Sequence, residues 1–209
     1  MRTVPTRSWR GISAEDRRAE RRAALIEAGL EVIGTQGWAG TTVRGVCRQA
    51  GLTERYFYES FADHEALLLA VYDHTLATGI EYVLAAVRSA PADLGSTTRA
   101  AIAAALEYLL DDPRKGRILI LEATGNEQLQ RRRQQAVRSQ ATLLTTLTAG
   151  FFDHPPPRSD AYLTALSLVG ALSELAAAQL DGQLSVPRTR LLDHLSALAI
   201  AATHLPPPS

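Results

Sequence analysis

Glu54, Arg55, Tyr56, Tyr58 and Ser60 fall within about two turns of a short predicted helix. A guanidinium, a carboxylate, two phenols and a hydroxyl on one surface suit base edges and phosphate oxygens in a DNA major groove better than they suit a core. Phe57 and Phe61, four residues apart, mark the buried side of the same helix. That surface has to be held by its neighbours. Thr42 offers a hydroxyl N-cap to a preceding helix whose apolar positions are Val43, Val46, Cys47 and Ala50, and Gly51 stands where a helix end needs a left-handed residue. Leu52 then turns toward the core and Thr53 caps the second helix. Two short helices joined by a tight turn, with a third following, make a helix-turn-helix reader.

The elements around this unit follow from caps and apolar periods. Ser13 with Asp16 forms a capping-box-like start to a helix whose stripe is Ala23, Ile26, Leu30 and Ile33 and which ends near Gly37. Asp63 caps a long helix reaching about Ser89, with Leu67, Val71, Leu76, Ile80, Val83, Leu84 and Val87 on it. It is expected to be the one element that spans reader and remainder. Pro91, Gly95, Pro113, Gly116 and the proline run 155–157 divide the rest into helical segments near 97–111, 117–152 with a break near Gly125, 159–181 and 187–204. No segment alternates as a strand does. The expectation is an all-α chain of about nine helices, organised as a basic arm 1–12, a helix-turn-helix domain 13–62 and a helical effector-binding and dimerisation domain 63–209. The arm carries Arg2, Arg7 and Arg10 and either enters a minor groove or hangs free. The PPPS end is expected to fray.

Composition narrows the class. With 209 residues and 46% hydrophobic content the chain can bury a sizeable core. The formal net charge is zero, yet residues 1–60 hold 10 arginines against 7 carboxylates, +3, and the remainder holds 12 basic against 15 acidic, −3. The basic end is the reading end. A single cysteine excludes an intrachain disulfide framework and a multi-cysteine zinc site and fits a reducing cytoplasm. The Arg-rich N-terminus lacks the apolar h-region of a signal peptide, and no apolar run approaches membrane-spanning length, so no membrane partner is expected.

Other features read as structural. Cys47 on the inner face of its helix is a filler thiol. Four of the five histidines directly follow an aspartate, but adjacent helical residues point about 100° apart, so no metal site is formed. Arg131, Arg132 and Arg133 fan around a helix as a solvated face. There is no G-x-S-x-G, no phosphate loop and no nucleophile-base pair, so neither an enzyme nor a cofactor is expected.

The C-terminal helices carry two further expectations. Leu166, Val169, Gly170 and Leu172 on one, with Leu195 and Leu198 on the next, fit a helical hairpin that meets its copy across a two-fold axis. Packing within one chain remains the alternative. Tyr82, Tyr108, Glu122, Asn126, Tyr162 and Glu174 interrupt apolar helices, as would the polar groups of an effector pocket or the edges of an ordinary core.

The sequence Gly37-Trp38-x-x-Thr41-Thr42-Val43, Ala50-Gly51-Leu52-Thr53, Phe57-Tyr58-x-x-Phe61 and Asp63-x-Glu65-x-Leu67 closely resembles the N-terminal signature of TetR-family transcriptional regulators. The specific motifs cover about residues 20–70; the rest matches only as an all-α ligand-binding and dimerisation domain. The resemblance implies that Thr42 and Tyr58 touch phosphate and that Glu54, Arg55 and Tyr56 read bases, with Thr53 and Ser60 bordering them. For Glu54 the positive end of its own helix is the competing role. Two positions depart from the family pattern. His64 replaces a usual lysine, so any phosphate contact there brings little counterion release, and Glu59 replaces a usual aromatic. The implied function is a cytoplasmic homodimeric repressor of a palindromic double-stranded operator, released by a small apolar or amphipathic effector. A helical oligomerisation scaffold or a small-molecule carrier without DNA function is the alternative.

Overall fold

The computed structural model describes residues 13–123 and 126–203, so the basic arm, the break near Gly125 and the PPPS end lie outside the described residues. Among the described residues nine α-helices run α1 (Ala14–Gln36), α2 (Val43–Ala50), α3 (Glu54–Ser60), α4 (His64–Ser89), α5 (Leu94–Leu110), α6 (Pro113–Gly116), α7 (Glu127–Thr148), α8 (Arg158–Leu180) and α9 (Arg188–Ala202). No strand occurs among the described residues, and the all-α expectation holds.

The caps set most of the boundaries. Ser13 Oγ accepts from the Asp16 amide at 2.9 Å while Asp16 accepts from the Ser13 amide at 3.2 Å, a complete capping box. Thr42 caps α2 through the Gly45 amide at 3.0 Å, and Asp63 caps α4 through the Ala66 amide at 2.8 Å. Gly51 closes α2 at φ 65° and ψ 28°, a conformation that an L side chain resists. Thr53 differs from expectation: its backbone is extended as at a cap, but its side chain makes no capping bond.

Three other boundaries correct the sequence reading. Asp93 caps α5 at the Ser96 amide, 2.8 Å, so the helix starts three residues before its expected first residue and Gly95 lies inside its first turn. Pro113 opens α6 rather than ending a segment, because at the first helical position its missing N–H has no partner to lose. The segment expected over 117–152 with a break near Gly125 does not begin as an α-helix. Residues Arg117–Leu121 form a π-helical stretch, in which the Glu122 amide donates to the Arg117 carbonyl five residues back at 3.0 Å, and α7 begins afresh where Asn126 caps the Leu129 amide at 2.8 Å.

The larger core joins α1 to α4 around fully buried Leu25, Ile33, Val46, Phe57, Leu67, Leu68 and Val71, and it also takes Ile118 and Leu129 from beyond the expected domain boundary. The buried stripe of α1 runs through Leu25, Ala28, Gly29, Val32 and Ile33, so the expected Ala23 is turned to solvent. A smaller core packs Leu106 of α5 against Leu191 and Leu195 of α9, with Leu172 and Leu175 of α8 alongside. Leu195, expected at a dimer face, is 2% exposed within one chain. It faces α5 because residues 191, 195 and 199 share one stripe of α9, and that stripe is the internal one.

α8 overturns the reading that no apolar run approaches membrane-spanning length. Its 23 residues, with a window of mean hydropathy 1.5, pass by length and composition, yet only 11% of that window is buried. α7 and α9 cover it in part; Leu163 is 61% exposed, and a Cβ added at Gly170 would meet open space.

Candidate nucleic-acid interface

The helix-turn-helix presents a divided surface. Phe57 and Phe61 are buried, with ring centroids 5.6 Å apart, and Phe57 meets the Tyr58 ring edge-on at 5.3 Å. Thr53, Glu54, Arg55, Tyr56 and Tyr58 all lie on the exposed side of α3. One short helix thus keeps its aromatic face in the core and leaves a row of hydrogen-bonding groups uncovered. Thr42 is also exposed; its oxygen is taken as a cap acceptor, and its hydroxyl hydrogen remains to be donated. The Ser60 hydroxyl is turned back on the Tyr56 carbonyl at 3.0 Å, so it borders the face without being free on it.

Arginines of α1 hold α3 in place. Arg18 Nη2 donates to the Glu59 carbonyl at 2.5 Å, Arg21 Nη2 lies 3.5 Å from Glu59 Oε2, and the Arg21 guanidinium sits 4.5 Å over the Tyr56 ring. Arg22 covers the Phe61 ring at 4.5 Å. Arg55 Nε donates to Glu59 Oε1 at 3.1 Å while its side chain stays 84% exposed. None of these α1 contacts was anticipated; the Arg55–Glu59 pair alone was readable, as an i,i+4 spacing.

His64 sits differently from a phosphate-contacting lysine. Its ring stacks on Trp38 with centroids 4.0 Å apart and 23° between planes, and its Nε2 is buried without a partner. Burial pushes its imidazole below the ordinary value, with the Asp63 charge opposing. Burial likewise pushes the Cys47 thiol up, away from the reactive thiolate, in keeping with a filler role.

A second connection between reader and remainder corrects the expectation that α4 alone spans them. Glu122 Oε2 accepts from the Trp38 amide at 2.8 Å and Oε1 from Arg117 Nε at 2.7 Å. Gly37, at φ 77°, lies so near that a Cβ there would be 2.9 Å from Arg117 Nη2. Arg114 pairs with both Asp112 and Glu31 of α1, and a Cβ on Gly34 would lie 2.4 Å from the Arg114 Cβ. The π-helical stretch therefore ends in a carboxylate that grips the loop between α1 and α2.

The six residues expected around an effector are scattered. Glu122 belongs to the connection just described. Asn126 caps α7 and donates to Glu65 at 3.2 Å, and exposed Glu174 meets Arg133 at 3.3 Å. Tyr162 is half-buried on α8. Only Tyr82 and Tyr108 come together, centroids 5.9 Å apart, with the Tyr108 hydroxyl donating to the Thr75 carbonyl at 2.8 Å. Glu122, Asn126, Glu174 and Tyr108 each satisfy a different partner. Two open clefts of about 460 Å³ each lie nearby, one between α4 and α5 lined by Tyr82, Ala85, Ala86, Ser89, Ala100, Ala103, Ala104 and Glu107, the other by Leu110, Asp111, Pro113, Gln179, Leu180 and Arg188. Arg131, Arg132 and Arg133 pair with Glu127, Asp73 and Glu174 respectively, a fan of separate surface contacts.

Residues 25–71, from the second half of α1 to the first turns of α4, match the sequence profile of bacterial regulatory proteins of the tetR family. The whole fold is similar to the fatty acid degradation regulator FadR from Bacillus halodurans, at TM-score 0.73 and 17% identity over 88% of this chain and 96% of that one. It is also similar to the transcriptional regulator FadR from Bacillus subtilis in complex with stearoyl-CoA, at TM-score 0.72 and 17% identity over 87% and 99%. A TetR-like transcriptional regulator from Rhodococcus sp. RHA1 matches at TM-score 0.66 and 19% identity over 88% and 96%. Residues 25–71 thus carry the signature of the tetR family of bacterial regulatory proteins, and over its length the chain has the fold of these regulators.

Proposed function

We propose that this regulator is a cytoplasmic homodimer that binds a palindromic operator as a repressor and leaves it when a small apolar or amphipathic effector is bound. The observation that carries the reading is the exposed polar face of α3 over a buried Phe57 and Phe61. On it, Arg55, Glu54 and Tyr56 face bases, while Thr42, Thr53 and Tyr58 take phosphates. Residues 13–62 are the reader and residues 63–209 the sensing and dimerising part, although they share a core. His64 is better suited to support Trp38 than to meet a phosphate, because its Nε2 is turned inward.

Dimerisation is supported by the little-buried apolar α8, where half-buried Leu166, Val169 and Leu172 flank open Gly170, and by Leu198 of α9 at 42% exposed. A second copy of the same face would cover them, which also accounts for the membrane-like composition of α8. For the effector, the support is the alanine-lined cleft between α4 and α5 and the relative bound to stearoyl-CoA. The test is a mobility-shift titration of full-length protein on the DNA upstream of its own reading frame, with and without stearoyl-CoA. The expected result is a discrete complex on one inverted repeat that the thioester dissolves. Equal binding to unrelated DNA would overturn the reading, and a complex indifferent to the thioester would remove that effector class.

A further inference from the structure

The pairing of Arg55 with Glu59 is built beyond what a surface ion pair needs. Arg55 is 84% exposed, and exposed i,i+4 pairs add little to stability. Glu59, by contrast, is fixed from behind: its carbonyl takes Arg18 at 2.5 Å and its second carboxylate oxygen faces Arg21 at 3.5 Å. Arg21 is itself held over the Tyr56 ring with a side chain only 24% exposed. A tethered carboxylate thus holds an exposed cation of the reading face.

Which nitrogen it holds decides the consequence. Glu59 Oε1 engages Arg55 Nε at 3.1 Å, so the Nε side of the guanidinium is occupied and the terminal Nη1/Nη2 fork is left. A guanine offers O6 and N7 as paired acceptors, and a planar fork meets them with two parallel bonds. A held fork also loses less side-chain freedom on binding. We propose that Glu59 is a specificity-determining positioning residue, which fixes Arg55 so that its terminal fork selects a guanine at one base pair of each half-site. The inference rests on α3 being the reading helix. It gives a purpose to the carboxylate found where the family usually has an aromatic.

The experiment is selection from a randomised duplex DNA pool by full-length protein, followed by affinity measurement on the enriched duplex and on the same duplex with that guanine pair changed to adenine. The unmodified protein should enrich an inverted repeat containing one guanine position that Arg55→Ala erases, a preference of about 5- to 150-fold, the range for a good bidentate contact. Glu59→Ala should erase the same position and leave the others, and adding it to Arg55→Ala should change that preference no further. Glu59→Gln, whose amide oxygen can still accept from Nε, should retain part of the preference. Arg21→Ala removes one of the two holds of α1 on Glu59 and leaves the Arg18 bond and the Arg55–Glu59 pair, so it should weaken all duplexes by one factor and keep the guanine. Glu59→Ala acting like Arg21→Ala, or additive effects of Arg55→Ala and Glu59→Ala, would overturn the proposal and leave Glu59 as a strut. Enrichment of no motif by the unmodified protein would instead refute the reading helix itself. Thermal melts of each variant separate loss of preference from loss of fold.

Discussion

At the scale of the residue, the roles of Thr42 and Arg55 divide by what each can touch. In the proposed reading the Thr42 hydroxyl at the start of α2 meets phosphate oxygens, which are the same in every sequence, so Thr42→Ala should weaken binding to cognate and random duplex by one factor. Arg55→Ala should cost about 1–3 kcal/mol on the cognate duplex and much less on random DNA. Anisotropy titrations on both duplexes check this, and equal losses for Arg55→Ala would assign it to phosphate. His64 gives a pH signature. Its imidazole titrates below the ordinary value in the folded chain, so the unfolded chain binds the extra proton first. Stability from this group is complete above pH about 6.5 and falls as pH drops through that value toward the lower folded one. His64→Phe, which keeps a ring against Trp38, should flatten the change in melting temperature between pH 7.5 and 5.5; an unchanged slope would show that His64 is not its source. That Glu54, Arg55, Tyr56 and Tyr58 share the exposed side of α3 was legible because caps and apolar spacing are local signals. Inward-turned His64 was not, since its stacking partner Trp38 comes from another element, and neither were the contacts of Glu122, Asn126 and Glu174, whose partners lie far away in sequence.

Among the elements, the segment from α6 through the π-helical stretch grips α1 and the loop after it. Gly34 permits that grip, because a methyl there would sit 2.4 Å from the Arg114 Cβ and 2.9 Å from its Cα. Gly34→Ala should therefore push α6 off α1 and lower stability by about 1–3 kcal/mol, despite the better helix propensity of alanine. Denaturant unfolding measures it, and a gain in stability would show that the approach is slack. Asp112 belongs to the same clamp. Its hydrogen bond with Arg114 holds the carboxyl below the usual carboxylate range, so its contribution is present above pH about 4 and lost as pH falls further. Helix existence was readable nearly throughout. The piece missed was the π-helical character of residues 117–121, because a π-helical stretch keeps the apolar helical pattern while changing only the hydrogen-bond register. The early start of α5 was missed for a simpler reason: Gly95 read as a breaker, and the Asp93 cap outweighed it.

For the whole molecule, periodicity marked α8 and α9 as apolar but could not say which stripe faces its own chain. Leu191 and Leu195 turned out to be internal, whereas Leu163 and Gly170 lie on uncovered surface. If a second copy covers that surface, Gly170→Arg should give a folded monomer by light scattering at micromolar concentration, since a buried charge without a partner costs several kcal/mol; a dimer of unchanged mass would move the interface elsewhere. In the proposed dimer two copies of α3 must meet half-sites about one helical turn apart on DNA. The most direct test is a titration of the full-length protein, at physiological salt, onto the selected inverted repeat and onto a scrambled duplex of the same composition. The predicted result is two chains per duplex and a preference of at least about 10³ for the repeat. Equal affinity for both duplexes would contradict it.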